Sequence, residues 1–145
     1  MMKKILFMLM IGMGLLSLTA CGTGSESESA SGDSITGVLW EWQSVINQDT
    51  SETTTVPNPE NYTIEFNEDG TFTGTADCNQ IAGTYSTESG FSITLGPTTL
   101  AFCGEASLDT TYLDLLSNVA AGGPDGTGGL ALETAGGQQR MTFKS

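Results

Sequence analysis

The 145-residue sequence contains no histidine, only four basic residues and only three cysteines. Without histidine it lacks the usual general base, the Ser-His-Asp arrangement and the commonest zinc ligand. A formal charge of −13 repels phosphate backbones, so we expect no nucleic-acid partner. No C-x-x-C pair is present, which argues against thiol redox chemistry. We therefore name no catalytic and no metal-binding residue, and we expect a protein that is not an enzyme and uses no cofactor.

The first twenty residues carry the strongest local signal in the sequence. Lys3 and Lys4 precede an uncharged apolar run that extends to about Leu18. This run is shorter than the roughly 20 residues that span a bilayer, and small residues follow it. Such a pattern is typical of a secretory signal peptide, so we expect residues 1–20 to be removed on export.

The run Leu18-Thr19-Ala20-Cys21 resembles the lipobox of bacterial lipoproteins. The resemblance implies that Cys21 carries a thioether-linked diacylglycerol and is the first residue of the mature protein. Residues 21–34 are rich in Ser, Gly and Glu and have no large apolar side chain, which predicts a flexible, lipidated tether. The expected location is the cell envelope, lipid-anchored on the extracytoplasmic side, with the outer and the cytoplasmic membrane both open.

From residue 35 the sequence changes to short runs with the alternation of β-strands. Val38, Trp40 and Trp42 alternate with smaller or polar residues, as in a strand with one buried face. A ligand platform made of the two tryptophans is the alternative. Residues 47–61 are polar or small apart from Val56 and predict a surface loop, which is long enough to hold a partner site.

Three hairpins are predicted from pairs of such runs separated by turn residues. Their strands are 61–67 with 71–76, 83–87 with 91–95, and 130–134 with 140–144. Between the second and third hairpins the sequence predicts one helix, because apolar residues recur at helical spacing: Leu108, Tyr112, Leu115, Leu116 and Val119. Ser107 is the predicted N-cap, and Gly122-Gly123-Pro124 is predicted to end the helix and open a flexible turn over 122–129. The apolar stripe should pack on the sheet, with binding in a partner's groove as the alternative.

The order of the motifs resembles the META (HslJ-type) domain over residues 35–145. The matching features are Ile35-x-Gly37-x-x-Trp40, an Asp-Gly hairpin, C-N-x-x-x-G-x-Y from Cys78 to Tyr85, and T-x-x-x-C ending at Cys103. The resemblance implies a mainly β (α+β) fold, an antiparallel, partly open β-barrel of about seven to eight strands with one packed helix.

The resemblance also bears on individual residues and on function. It marks Trp40, Asn79, Gly83 and Tyr85 as structural motif residues, and Asp77 stands where the family usually has Gly. Family members are associated with envelope stress or heat-shock responses and with drug tolerance. The family supplies no established catalytic residue.

The three cysteines divide into one lipidation site and one pair. With Cys21 acylated, Cys78 and Cys103 remain as an even pair in a compartment where disulfides persist. We therefore expect Cys78 and Cys103 to be bonded.

Three functions are compatible with these features. The first is a non-enzymatic envelope lipoprotein that binds or stabilises another envelope component. The second is a carrier of a small apolar ligand or acyl chain, which requires an interior cavity rather than a barrel filled by aromatic side chains. The third is a hydrolase with a carboxylate pair, which requires two buried acids of raised pKa in a cleft. The expected partners are the membrane, through the lipid anchor, and an unidentified envelope protein or small apolar ligand.

Overall fold

The computed structural model describes residues 34–145. The predicted signal peptide, the predicted lipidation site Cys21 and the tether up to residue 33 lie outside the described residues. The described part of the chain forms nine strands, one α-helix and two short 3-10 turns.

The strands come in two groups on either side of the helix. The first group is β1 Leu39–Asn47, β2 Thr53–Thr55, β3 Tyr62–Phe66, β4 Thr71–Ala76, β5 Asn79–Ser86 and β6 Ser92–Leu95. The helix α1 is Asp109–Ser117, and it is followed by β7 Val119–Pro124, β8 Leu130–Thr134 and β9 Gln139–Lys144. The two 3-10 turns are Pro59–Asn61 and Ala135–Gly137.

Eight strands form one antiparallel sheet in the order β6-β5-β4-β3-β1-β9-β8-β7. The short β2 lies off this path and pairs with the second half of β1. The sheet curls into a nearly closed barrel in which β6 and β7 share no strand ladder within the described residues. At this seam the Phe91 amide donates to the Ala120 carbonyl at 3.3 Å. The expected antiparallel, partly open barrel with one helix is confirmed.

The segment predicted as the end of the helix is a strand. The helix ends at Ser117, and Val119 is buried in β7, where it pairs with Thr134 of β8. Gly122 lies within that strand. A side chain would not fit at this position, because a Cβ would collide with the Leu132 side chain and lie 3.3 Å from the Phe91 ring. The predicted helical end and the predicted turn at residues 122–124 are therefore wrong, since pairing with β8 orders residues 119–124 as β-structure. The rest of the predicted turn, residues 125–129, is the connection between β7 and β8.

The predicted N-cap and the predicted long loop also need correction. The helix begins at Asp109 with Leu108 at the N-cap position and no side-chain cap, while the Ser107 hydroxyl accepts from the Asp109 amide at 3.2 Å. The region 47–61 contains β2 and a 3-10 turn, and its one large apolar residue, Val56, is buried. The Val56 amide donates to the Gln43 carbonyl at 2.9 Å, which draws this region onto β1.

Aromatic side chains fill the interior of the barrel. The ring of Trp42 stacks on Tyr112 of the helix at 5.1 Å between centroids and meets Tyr62 edge-on at 5.9 Å. Helix α1 packs on the barrel and buries Tyr112, Leu115 and Leu116. The largest fully buried side chains are Trp42, Tyr112, Phe66, Phe72, Phe143, Ile64, Leu116, Leu130, Leu132, Met141 and Asn79.

The two ends of strand β3 serve as reference points for two regions of the molecule. At Phe66 the chain enters from the N-terminal side, because Thr36 bridges Phe66 and the Gly37 amide donates to the Phe66 carbonyl at 2.9 Å. We call this the entry end. At Tyr62 the strand meets the start of the helix, since the Leu108 amide donates to the Tyr62 hydroxyl at 2.8 Å. We call this the distal end.

Candidate functional site

The distal end is built on the tight turn between β4 and β5. Asp77 occupies this turn with a φ of 57°, a left-handed conformation that Asp adopts more readily than most residues other than Gly. Its amide donates to the Asn61 carbonyl at 2.8 Å, and its carboxylate accepts from the Tyr62 hydroxyl at 3.3 Å. Asp77 therefore adopts the left-handed conformation that the turn needs, and its side chain adds a bond to β3.

Asn79, the first residue of β5, holds the following loop from within the barrel. The side chain is only 1% exposed. Its Oδ1 accepts from the Ala101 amide at 2.7 Å, and its Nδ2 lies 3.1 Å from the Ala101 carbonyl, 3.2 Å from Asp109 Oδ2 and 3.3 Å from Cys103 Sγ. The oxygen and the nitrogen of the side-chain amide both have hydrogen-bond partners, as a buried polar side chain requires. The Asn of the Cys-Asn motif thus joins the start of β5 to residues 101–103 and to the first residue of the helix.

The predicted disulfide is present between Cys78 and Cys103. The two Cα atoms lie 5.6 Å apart, and Cys78 is exposed whereas Cys103 is half-buried. The bond closes a separation of 25 residues. On a chain-entropy estimate a closure of that length stabilises the fold by about 3.5 kcal/mol.

Residues 96–108, which we call the distal loop, are tied to the barrel along their length. The Gly96 amide donates to the Ala82 carbonyl at 2.8 Å at the start of the loop. Asn79 and the disulfide hold the middle, and the Leu108 amide reaches the Tyr62 hydroxyl at the end. The distal loop is therefore a fixed part of the surface although it contains no helix or strand.

The distal loop exposes two large apolar side chains. Leu100 is 75% exposed and Phe102 is 84% exposed, and we call this pair the apolar lip. Among residues 34–145, Leu39 is the other large hydrophobic residue on the surface, at 50%. An open cleft of about 450 Å³ lies beside the lip, and its other walls include Glu105, Ser107 and Asp109. Fixed, exposed apolar side chains rimmed by polar groups are a feature of interaction sites.

The charges near the apolar lip are acidic. Glu105 is exposed and Asp109 is half-buried at the cleft. In residues 34–145 the basic residues are Arg140, which forms an ion pair of 2.6 Å with Glu133, and Lys144 at the end of β9. Neither basic residue lines the cleft, so its charged groups have one sign.

The other motif residues lie in the barrel and away from the cleft. Trp40 is buried, with its indole Nε1 donating to the Ile35 carbonyl at 2.9 Å. Gly83 is required because a Cβ would collide with the Thr94 carbonyl and the Phe72 ring. The Tyr85 hydroxyl donates to the Asn67 carbonyl at 2.8 Å, and burial together with nearby carboxylates raises the pKa of Tyr85. These three residues hold the barrel together, and Asn79 is the motif residue that reaches the candidate site.

The alternative of a tryptophan platform does not fit the structure. Trp42 is fully buried and Trp40 nearly so, so neither ring offers a face to a ligand from solution. The pair packs the core instead, as same-face aromatic residues of a strand commonly do.

The carboxylates of residues 34–145 that have a shifted pKa have it lowered rather than raised, and none belongs to a metal-binding group. Hydrogen bonds from Thr71 lower the pKa of Asp69, and bonds from Thr127 and Gly129 lower the pKa of Asp125. Both carboxylates accept hydrogen bonds from amides of their own turns, and these bonds favour the ionised form of the carboxylate. Residues 34–145 contain no group of three or more Cys, Asp or Glu side chains placed to hold a metal ion. No helix in this range has the length and apolar character needed to cross a membrane.

Sequence reasoning missed the apolar lip. Leu100 and Phe102 alternate with smaller residues in front of Cys103, a pattern that a strand with a buried face would also show. The pattern alone does not say which way the two side chains point. The preceding Gly96-Pro97 is the signal that could have separated them from a strand, because it breaks the chain just before the lip.

Comparisons with known proteins agree with this architecture. A family model described as META domain matches residues 33–145. No curated protein matches the chain. The crystal structure of a duf4847 family protein from Bacteroides vulgatus ATCC 8482 is 18% identical with a TM-score of 0.59, over 76% of this chain and 93% of that one. The NMR structure of a protein from Burkholderia xenovorans is 18% identical with a TM-score of 0.60, over 87% and 97%. At this identity the two structures show a shared fold.

Proposed function

We propose that this protein, which belongs to the META domain family, is a lipid-anchored protein of the bacterial cell envelope that binds another envelope component and catalyses no reaction. The anchor rests on the sequence before the barrel, where an apolar run ends in Leu18-Thr19-Ala20-Cys21. Two or more acyl chains on Cys21 would hold the protein stably, whereas one chain gives marginal binding. Residues 22–33 would then be a polar tether between membrane and barrel.

One observation carries the binding role, namely the exposure of Leu100 and Phe102 on a loop that is fixed at several points. Leaving such side chains in water forgoes about 25 cal/mol for each Å² of apolar surface that burial would remove. A flexible loop could fold its apolar residues back onto the barrel, but Asn79 and the disulfide hold the backbone of the distal loop in place. Association with a partner is the remaining way to bury the apolar lip.

The interior of the barrel favours this role over the carriage of a small apolar ligand. A carrier needs an empty, lined cavity, whereas Trp42, Tyr112 and Phe66 are fully buried in mutual aromatic contact with their neighbours. A hydrolase that uses a carboxylate pair receives no support from the shifted groups, because Asp69 and Asp125 have lowered pKa values and lie in turns. Surface binding is the function that the described residues support best.

Photo-crosslinking in intact cells tests the proposal. A benzoylphenylalanine residue is introduced into the full chain at position 100 and, as a matched control, at position 39 near the entry end. We expect a discrete adduct from position 100 and none of the same mass from position 39, with the chain in the membrane fraction. Cys21→Ala should abolish the incorporation of a labelled fatty acid into the chain. Identical adducts from both positions would contradict a binding site at the distal loop, and incorporation of the labelled fatty acid into Cys21→Ala would contradict lipidation at Cys21.

A further inference from the structure

The position of the apolar lip restricts what can cover it, on the premise of the proposed function. The chain enters the barrel beside Phe66, and the distal loop is fixed beside Tyr62 at the other end of β3. These points are the two ends of a five-residue strand and lie four steps apart, about 13 Å at roughly 3.3 Å per residue. The tether therefore joins the domain at the opposite end of β3 from the distal loop, so the apolar lip does not lie at the attachment point. Glu105 and Asp109 beside the lip repel anionic headgroups, so a protein is favoured over that bilayer as the partner.

The charges of the cleft restrict the partner further. Glu105 and Asp109 line the cleft together with Leu100 and Phe102, and no basic side chain does. Complementary charge guides encounter and excludes partners with charges of the same sign. The second copy of this chain is disfavoured on this ground, because it would bring the same two carboxylates to the interface.

The size of the cleft fits side chains rather than a whole folded element. Its volume of about 450 Å³ falls in the range of small-molecule pockets, roughly 300 to 1,000 Å³. One or two side chains of a partner occupy such a space. An apolar side chain would contact Phe102, and a neighbouring cation would reach Glu105 or Asp109.

We propose that the distal loop docks a protein segment in which Lys or Arg stands next to a large aliphatic or aromatic residue. The apolar residue of the segment packs on Leu100 and Phe102, and the basic residue lies against the carboxylates of the cleft. The rigid loop lowers the entropy lost on binding, since its backbone is already fixed by Asn79 and the disulfide.

A selection from a random library of short peptides on the full chain in detergent tests this specificity. We expect the peptides recovered by the wild-type chain to be enriched in Lys or Arg adjacent to Leu, Phe, Trp or Met. The affinity of a fluorescent peptide from this set is then measured by anisotropy. The Leu100→Ser, Phe102→Ser double variant should weaken binding about 10-fold or more. Glu105→Gln should weaken it about 2- to 5-fold, and Leu39→Ser should leave it unchanged.

Several results would overturn the proposal. Recovery of peptides without basic residues, failure to recover any peptide that distinguishes the wild-type chain from the lip variant, or equal binding by all variants would each do so. Binding of zwitterionic vesicles through the apolar lip, or a dimer that the lip substitutions abolish, would assign the surface to a different occupant. A crosslink from position 100 in cells combined with peptides that lack Lys and Arg would leave the proposed function standing and reject this specificity.

Discussion

The barrel interior and the distal loop both contain large apolar side chains, but they place them in opposite environments. Trp42 and Phe66 are fully buried, whereas Leu100 and Phe102 are at least three-quarters exposed. The interior needs no covalent fixing because burial itself drives packing. The distal loop has no buried apolar face of comparable extent and is held by a disulfide and by the buried Asn79. Substitutions in the interior should therefore change stability, and substitutions in the apolar lip should change association.

The largest loss of stability is expected from Trp42→Ala. The ring of Trp42 contacts Tyr62 and Tyr112 and is fully buried. Truncation of a buried aromatic residue lowers the free energy of unfolding by about 3 to 5 kcal/mol. Urea denaturation followed by circular dichroism measures the change. Leu39→Ala is the matched surface control and should stay within about 0.5 kcal/mol of wild type. A loss of less than about 1 kcal/mol for Trp42→Ala would place the tryptophan outside the core.

Removal of the disulfide should have the next largest effect. Cys78→Ser with Cys103→Ser should lower the free energy of unfolding by about 3.5 kcal/mol, since the unfolded chain regains the entropy of the closed loop. Denaturation of the wild type with and without a dithiol reductant provides the control. The reduced wild type should match the double variant, and the variant itself should not respond to reductant. An unchanged wild type on reduction, with free thiols counted, would contradict the stabilising role.

Asn79 tests whether the distal loop is held from within the barrel. Asn79→Ala leaves the Ala101 backbone groups without their side-chain partner and should cost about 1 to 3 kcal/mol. Hydrogen exchange of the Ala101 amide should accelerate well beyond that of β3 amides. Equal protection of the Ala101 amide in wild type and variant would show that the disulfide alone holds the loop.

Asn79→Asp tests the same contacts through the pH dependence of stability. It places a carboxylate at the position that now lies 3.2 Å from Asp109 Oδ2. Burial and repulsion by the nearby carboxylate raise the pKa of the introduced Asp side chain in the folded state, so the variant should gain stability relative to wild type as pH falls through that raised range. A stability difference between variant and wild type that does not change with pH would contradict the contact between the two side chains.

The sequence predicts the interior better than the distal loop, for a physical reason. In β1 the alternation of apolar residues correctly identifies the buried face, because Trp40 and Trp42 are two residues apart and both are buried. The sequence predicts Val119 in the helix because its spacing fits a helix as well as a strand, and only pairing with β8 decides for the strand. Leu100 and Phe102 show alternation without burial, so only the tertiary ties of the distal loop reveal their exposure.

A small gain in stability is expected from one change inside the core. The hydroxyl of Tyr112 is fully buried and has no hydrogen-bond partner among the described residues, and burial raises the pKa of Tyr112. Tyr112→Phe removes the desolvated hydroxyl and keeps the ring stack on Trp42, so the free energy of unfolding should rise by about 1 kcal/mol. Thermal denaturation measures the change. A loss of stability instead would indicate that the hydroxyl bonds to a buried water molecule.

The smallest effect on stability is expected from the apolar lip itself. Leu100→Ser with Phe102→Ser changes side chains that are 75% and 84% exposed, so the free energy of unfolding should stay within about 0.5 kcal/mol of wild type. The same variant should lose the crosslinked adduct, now probed from neighbouring Ala101. A variant that unfolds more easily by several kcal/mol would mean that the lip packs on the barrel in solution and belongs with the interior. Unchanged stability with a lost adduct would separate the two regions, because only a surface used for association loses its partner without loss of the fold.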